Sequence, residues 1–198
     1  MKRAARVAAR GPRALPHQVR VIGGSLKGST LPVLDRPGLR PTPQRVRETL
    51  FNWLGQDLTG WSCLDAFAGT GALGFEAASR GATSVVLLER EPELVAALRA
   101  AQTRLKAHAV TVERAEAVSW MRSGADDQFQ LVLLDPPFDD PASLELAVEA
   151  ATHLVAADGF IYVEAARRHE RCPDGFTLWR HDRAGAVWFH LLRRNSNG

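Results

Sequence analysis

Residues 131–138 read LVLLDPPF. Four apolar residues suited to a buried strand run straight into an acid, two prolines and an aromatic ring. Proline fixes φ, lacks an N–H and holds the residue before it in extended geometry, so Pro136 and Pro137 stop the strand and stiffen the loop beyond it. One carboxylate, Asp135, and one ring, Phe138, are thereby displayed at a strand's carboxyl end, where open α/β sheets bind their ligands. Read alone, the stretch is equally a strand terminator carrying a solvated acid. The chemistry that would require such a loop is methyl transfer to an exocyclic amine. The lone pair of that nitrogen is delocalised into the base, and an acceptor on its N–H localises it while the ring is held flat. Asp135 is then the acceptor, the carbonyl of Pro136 assists, and Phe138 stacks on the base, a contact worth ~1–3 kcal/mol for any base.

A second constellation lies upstream in CLDAFAGTGALG, residues 63–74, where Gly69, Gly71 and Gly74 fit G-x-G-x-x-G. Glycines let the backbone turn sharply and approach a ligand while the next helix offers free N–H groups. Glu89 lies 20 residues after Gly69, at the end of the next expected strand, where a carboxylate can accept both hydroxyls of a ribose. The pattern suits a nucleoside cofactor, either a nicotinamide dinucleotide or S-adenosylmethionine. Asp65 separates them, since a carboxylate just before the loop repels a pyrophosphate and attracts the cationic amino and sulfonium groups of the methyl donor. Hydride transfer also gives Asp-Pro-Pro-Phe nothing to do.

The elements that must position these residues are legible in the periodicity. After Trp61 strand and helix alternate: strands near 62–67, 84–89, 110–113, 129–134 and 160–165, and helices near 71–80, 92–107, 118–122 and 143–155. Repeated β–α units with apolar strands predict a three-layer α/β fold around a mainly parallel sheet with right-handed crossovers. FTLWRHD and AVWFHLL flank Arg183-Ala184-Gly185, which predicts a C-terminal antiparallel hairpin at one edge. Before the sheet, VRVIGGSLKGSTLPVL reads as a small glycine-turned hairpin. RPTPQRVRETLFNWL reads as a helix with Thr42 as its cap, Pro43 in its first turn and Val46, Leu50, Trp53 and Leu54 on its apolar stripe. The chain thus divides into three segments: a basic, disordered tail over 1–18, a hairpin-helix appendage over 19–58, and a catalytic domain over 59–198.

Charge is distributed unevenly. Residues 1–47 hold eleven Lys/Arg against the single acid Asp35, a net of +10, and the remainder holds 14 basic and 21 acidic residues, a net of −7. A segment this basic on an otherwise acidic chain reads as a handle for a polyanion, with Arg20, Lys27, Arg40, Arg45 and Arg47 as candidate RNA contacts. An Arg-rich organellar leader is the rival reading of the first eighteen residues, but the bias runs on to Arg47, beyond any plausible cleavage point. There is no membrane-length apolar run, which predicts a cytoplasmic protein. Cys63 and Cys172 lack ligand or disulfide spacing, so no metal site is expected.

RVIGGSLKG (20–28), LRPTPQRVRETLFNWL (39–54), LDAFAGTGALGFEAASRGA (64–82), LLERE (87–91) and LDPPF (134–138) together resemble the RsmD family of bacterial 16S ribosomal RNA guanine-N2 methyltransferases. Asp-Pro-Pro-Phe alone is shared with DNA adenine methylases, and an N6-adenine nucleic-acid methyltransferase is the alternative within the same chemistry. The resemblance covers about Val19 to Glu164. It implies a Rossmann-like S-adenosylmethionine-dependent fold, acting on one guanine, guanine-966 in the family's name, during small-subunit assembly. It implies cofactor contacts at Asp65, Phe67, Gly69, Gly71 and Glu89, an adenine-edge contact at Glu116 where a shorter Asn or Asp is more usual, and a catalytic loop from Asp135 to Phe138. The expected partner is 16S rRNA or a small-subunit assembly intermediate, met by a monomer.

Overall fold

The computed structural model describes residues 18–36, 39–136, 141–168 and 171–196. The tail as far as His17, and with it the reading of that segment, lies outside the described residues, as do Pro137 and Phe138. A two-stranded antiparallel sheet, β1 (Gln18–Arg20) and β2 (Thr30–Pro32), precedes α1 (Gln44–Trp53). The main sheet and its helices come next: β3 (Ser62–Asp65), α2 (Ala72–Ser79), β4 (Ser84–Glu89), α3 (Pro92–Leu105), β5 (Val110–Arg114), α4 (Ala117–Arg122), β6 (Phe129–Leu134), α5 (Pro141–Ala151), β7 (Val155–Ala165), β8 (Phe176–Ala184) and β9 (Val187–Arg194).

The seven strands lie in the order β5-β4-β3-β6-β7-β9-β8, with β3 to β7 parallel and β9 antiparallel to both β7 and β8. This is the mainly parallel sheet and C-terminal hairpin that the alternation implies, in the Rossmann-like form implied by the resemblance. From β3 the chain winds outward through β4 and β5, then returns to β6 on the other side of β3. The crevice at the carboxyl ends of β3 and β6 is therefore the topological switch point. Apolar clusters cover both faces: Val46, Leu50 and Phe51 of α1, with Phe75 and Leu98, on one side, and Met121, Ala147 and Ala151 on the other. Helix α1 thus shares the sheet's core, and Trp53 stacks on Phe189 of β9 with ring centroids 5.3 Å apart.

Several boundaries differ from the periodicity. Strand β3 ends at Asp65, which puts Phe67 in the glycine loop. Lys106, left-handed at φ 51°, ends α3 before Ala107. Strand β7 starts at Val155 rather than near 160, because Asp158 (φ 60°) and Gly159 look like a turn but sit inside the strand. Thr42 does not cap α1. Pro43 occupies the cap position with no side-chain bond, and the Thr42 hydroxyl is drawn instead to the half-buried carboxylate of Asp135.

Candidate active site

The glycine loop leaves β3 at Asp65 and enters α2. Gly71 caps α2 with φ 78°, and a Cβ there would lie 2.7 Å from Phe75 and Leu98, so only glycine makes this turn. Gly74 lies so close to β4 that a Cβ would sit 2.1 Å from Leu87, and its bare N–H reaches the Asp65 carboxylate at 2.9 Å. Asp65 is 2% exposed. Burial pushes its carboxyl up from 3.8 to about 7, with the Glu89 and Glu164 charges adding to the rise and the Gly74 bond opposing it.

Glu89 ends β4 and grips the same loop from the other side. One oxygen accepts the Gly69 N–H at 3.0 Å, and the other accepts those of Arg90 and Glu91 at 2.8 and 2.9 Å. Glu116 caps α4, accepting from the N–H groups of Val118 and Ser119 at 3.1 and 2.8 Å; the Ser119 bonds hold its carboxyl below the ordinary value. A cleft of about 660 Å³ opens over these residues, walled by the loop from Asp65 to Thr70, Glu89, Glu116, Asp135, Pro136 and, from the amino-terminal appendage, Leu39 to Thr42.

Asp135 comes immediately after β6 and faces this cleft beside Asp65. Thr42 donates to its carboxylate at 3.3 Å, which pins the amino-terminal segment across the site. Register carries Leu134 opposite Val163, so Glu164 of β7 stands next in line. Glu164 is 2% exposed, accepts from the Tyr162 hydroxyl at 2.9 Å, and is also bonded to the Thr42 side chain. Burial pushes it up to about 7 and lifts Asp135 well above its usual range, where Glu164 and Asp65 raise it further. Thr42 has one proton to give and two carboxyls beside it. Donating to Asp135, it can bond Glu164 only if Glu164 is the protonated partner.

Four of the five candidate RNA contacts, Arg20, Lys27, Arg40 and Arg45, are exposed, and Arg40 lines the cleft. Arg47 is a correction: it is 2% exposed and points inward. Its guanidinium bonds the carbonyls of Arg20 (3.0 Å) and Thr42 (3.3 Å) and pairs with fully buried Glu76 at 3.3 Å. Glu76 also accepts the N–H groups of Ile22 and Gly23 at 2.9 and 2.8 Å and pairs with Arg80 at 2.8 Å. This cluster rivets the appendage to α2 and leaves no side for a phosphate.

Glu76, Tyr162 and Glu164 escaped the sequence reading, and Thr42 entered it only as a helix cap. An acid next to the carboxyl end of an apolar strand, as in FIYVEA, is the available signal for Glu164. Among the described residues no cluster of His, Cys, Asp or Glu could hold a metal, and no helix is long and apolar enough to cross a membrane.

Residues 19–193 match the family model described as "Conserved hypothetical protein 95". Ribosomal RNA small subunit methyltransferase D of Escherichia coli K12 is 38% identical over 185 residues, covering 91% of this chain and 92% of its own. The protein of the same name from Haemophilus influenzae is 36% identical, covering 89% and 94%. The solved chain yhhF from Escherichia coli superposes with a TM-score of 0.82 at 35% identity, covering 91% of this chain and 99% of that one.

Proposed function

We propose, since this chain belongs to the RsmD family of ribosomal RNA small subunit methyltransferases that its residues 19–193 match, that it methylates the exocyclic N2 of a guanine in 16S rRNA. The guanine is of the guanine-966 type and the methyl donor is S-adenosylmethionine. The observation that carries this reading is the shared cleft. The acceptor Asp135 and the cofactor-type carboxylates Asp65 and Glu89 line one space at the switch point of the sheet.

The residues present fit the donor. Buried Asp65 suits a cationic amino group, Glu89 lines the cleft with an oxygen that accepts only the Gly69 N–H and so has capacity for a ribose hydroxyl, and Phe67, Leu88 and Ala117 offer apolar walls to an adenine with Glu116 at its rim. S-Adenosylmethionine supplies an electrophilic methyl on a cationic sulfur. Asp135 accepts a hydrogen bond from the target amine, localising its lone pair toward the methyl. A bound donor would give up its methyl to the nitrogen and keep the C–S electron pair on the departing sulfur, and the extra proton on nitrogen passes to Asp135 or water. Pro136 and Phe138 hold the base flat. A nicotinamide dinucleotide suits the cleft poorly, because its diphosphate would face Asp65 and Asp135 together.

The test is single-turnover methyl transfer to small ribosomal subunits from a strain lacking this protein, with the methylated nucleoside identified. Wild-type protein should produce N2-methylguanosine, and Asp135→Ala should bind donor and RNA nearly normally while turning over ~10²–10⁴-fold more slowly. Transfer to an adenine N6, or a wild-type rate in Asp135→Ala, refutes the proposal.

A further inference from the structure

The chain carries a second basic segment, remote in sequence from the first. Residues 165–196 hold seven arginines against three acids, whereas residues 48–164 hold seven basic and 18 acidic residues. Two of those arginines are neutralised, Arg193 by Asp158 at 2.8 Å and Arg194 by Asp127. Arg167, Arg168 and Arg180 are exposed and meet no carboxylate among the described residues. Arg183 is exposed, donates to the carbonyl of Gly185 at 2.7 Å and lies 5.5 Å from the Trp188 ring center.

Their place in the sheet gives this charge a direction. The β6–β7 register sets Asp135 beside Glu164, and Arg167 and Arg168 leave the same sheet edge a few residues later. Ala165 pairs with Trp188, and Trp188 with Arg183, so the row continues across β9 to the edge strand β8. The row through Asp135 and Glu164 runs by Phe189 to Asp182, three strand spacings or about 14 Å away, and Arg183 is the next residue along β8. Farther down β8, past the bulge between Leu178 and Arg180 and on the other face of this edge strand, Trp179 is 46% exposed, with the guanidinium groups of Arg193 and Arg180 at 5.0 and 5.8 Å from its ring center. Charged side chains alone would protect an edge strand from pairing with other chains. That protective role does not explain a tryptophan exposed in the same strand.

We propose that Arg167, Arg168 and Arg183, with Trp188 and Trp179, form a second RNA-contact strip that holds the single strand flanking the target nucleotide. The inference rests on the rRNA-methyltransferase reading and adds to it where the RNA runs. Guanidinium groups neutralise phosphates, and the indole rings give unpaired bases a sequence-tolerant stacking surface. With Arg40 on the opposite wall of the cleft, the target base enters between two cationic banks.

The triple variant Arg167→Gln/Arg168→Gln/Arg183→Gln changes only exposed side chains. Binding and methylation are measured on naked 16S rRNA and on small subunits, both from a strain lacking the protein. KM for RNA should rise about tenfold or more at about 150 mM salt with kcat within about twofold, the log–log salt slope should flatten by about two, and donor affinity should stay unchanged. Trp179→Ala should raise KM without altering the slope. Unchanged KM and slope on both substrates overturn the strip. A loss on subunits but not on naked rRNA overturns it in favour of a docking surface for a ribosomal protein. If wild-type protein transfers no methyl, the function proposed above fails, and the binding titration still decides the strip by itself.

Discussion

Replacing Asp65 with asparagine should stabilise the protein at alkaline pH while disabling it. At about 1.4 kcal/mol per pKa unit, a carboxyl pushed from 3.8 to about 7 makes ionised Asp65 cost the fold about 4 kcal/mol. The raised value means that between about pH 4 and pH 7 the folded chain keeps a proton the unfolded chain has released. Stability therefore falls as pH rises through that window and levels off above it. Asparagine does not titrate, and its side-chain oxygen can still accept the Gly74 N–H that Asp65 holds at 2.9 Å. Urea unfolding at about pH 5 and pH 8 measures the effect. The stability difference between the two proteins should shift by about 3 kcal/mol in favour of Asp65→Asn from about pH 5 to about pH 8, the rest of the 4 kcal/mol being already lost to wild type below about pH 5. Calorimetry should show S-adenosylmethionine binding weakened more than about tenfold, because the donor's cationic amino group loses its buried counter-charge. A stability gap that is the same at both pH values would refute the assignment of this cost to Asp65.

Glu89→Ala should weaken S-adenosylmethionine by ~1–3 kcal/mol in calorimetry, since ribose hydroxyls lose a charged acceptor and the Gly69 N–H loses its anchor; unchanged affinity in a folded variant removes Glu89 from the site. Arg47→Ala should lower stability by about 3–5 kcal/mol, because Glu76 keeps its buried charge with one partner fewer. Chemical denaturation reads that loss, and a variant of native stability with a flattened RNA salt slope would return Arg47 to the RNA-binding surface.

The parts of the site that repeat a local pattern were legible. The glycine loop, Asp65, Glu89 and the strand stop at Asp135 each announce themselves within a few residues, because turn chemistry and strand ends are short-range physics. The hidden parts depend on long-range approach. Arg47 and Arg45 read alike in RPTPQRVRETL, yet one is riveted to Glu76 of α2, 29 residues away, and the other faces solvent. Helical phase held part of the answer, since Arg47 sits beside Val46 on the buried stripe, but the partner acid within an otherwise apolar helix could not be paired with it from sequence. Thr42 shows the same limit. Its type and its place before Pro43 suit a cap, and a carboxylate 93 residues away outbids the local bond.

Thr42 also shows why the appendage and the sheet function as one unit. Asp135 can polarise an amine only if its own orientation is fixed, and the loop that bears it is tied on one side to β6 and on the other to a hydroxyl from the amino-terminal segment. That segment is held in turn by Arg47, whose guanidinium binds the Thr42 carbonyl, and by Glu76, which binds Arg47 and the backbone of Ile22 and Gly23. The buried ion cluster therefore lies one bond from Thr42 and two from the Asp135 carboxylate. The segment that carries Arg40 to the cleft also orients Asp135. On the function proposed above, RNA engagement by the appendage would be coupled through Thr42 to the orientation of Asp135.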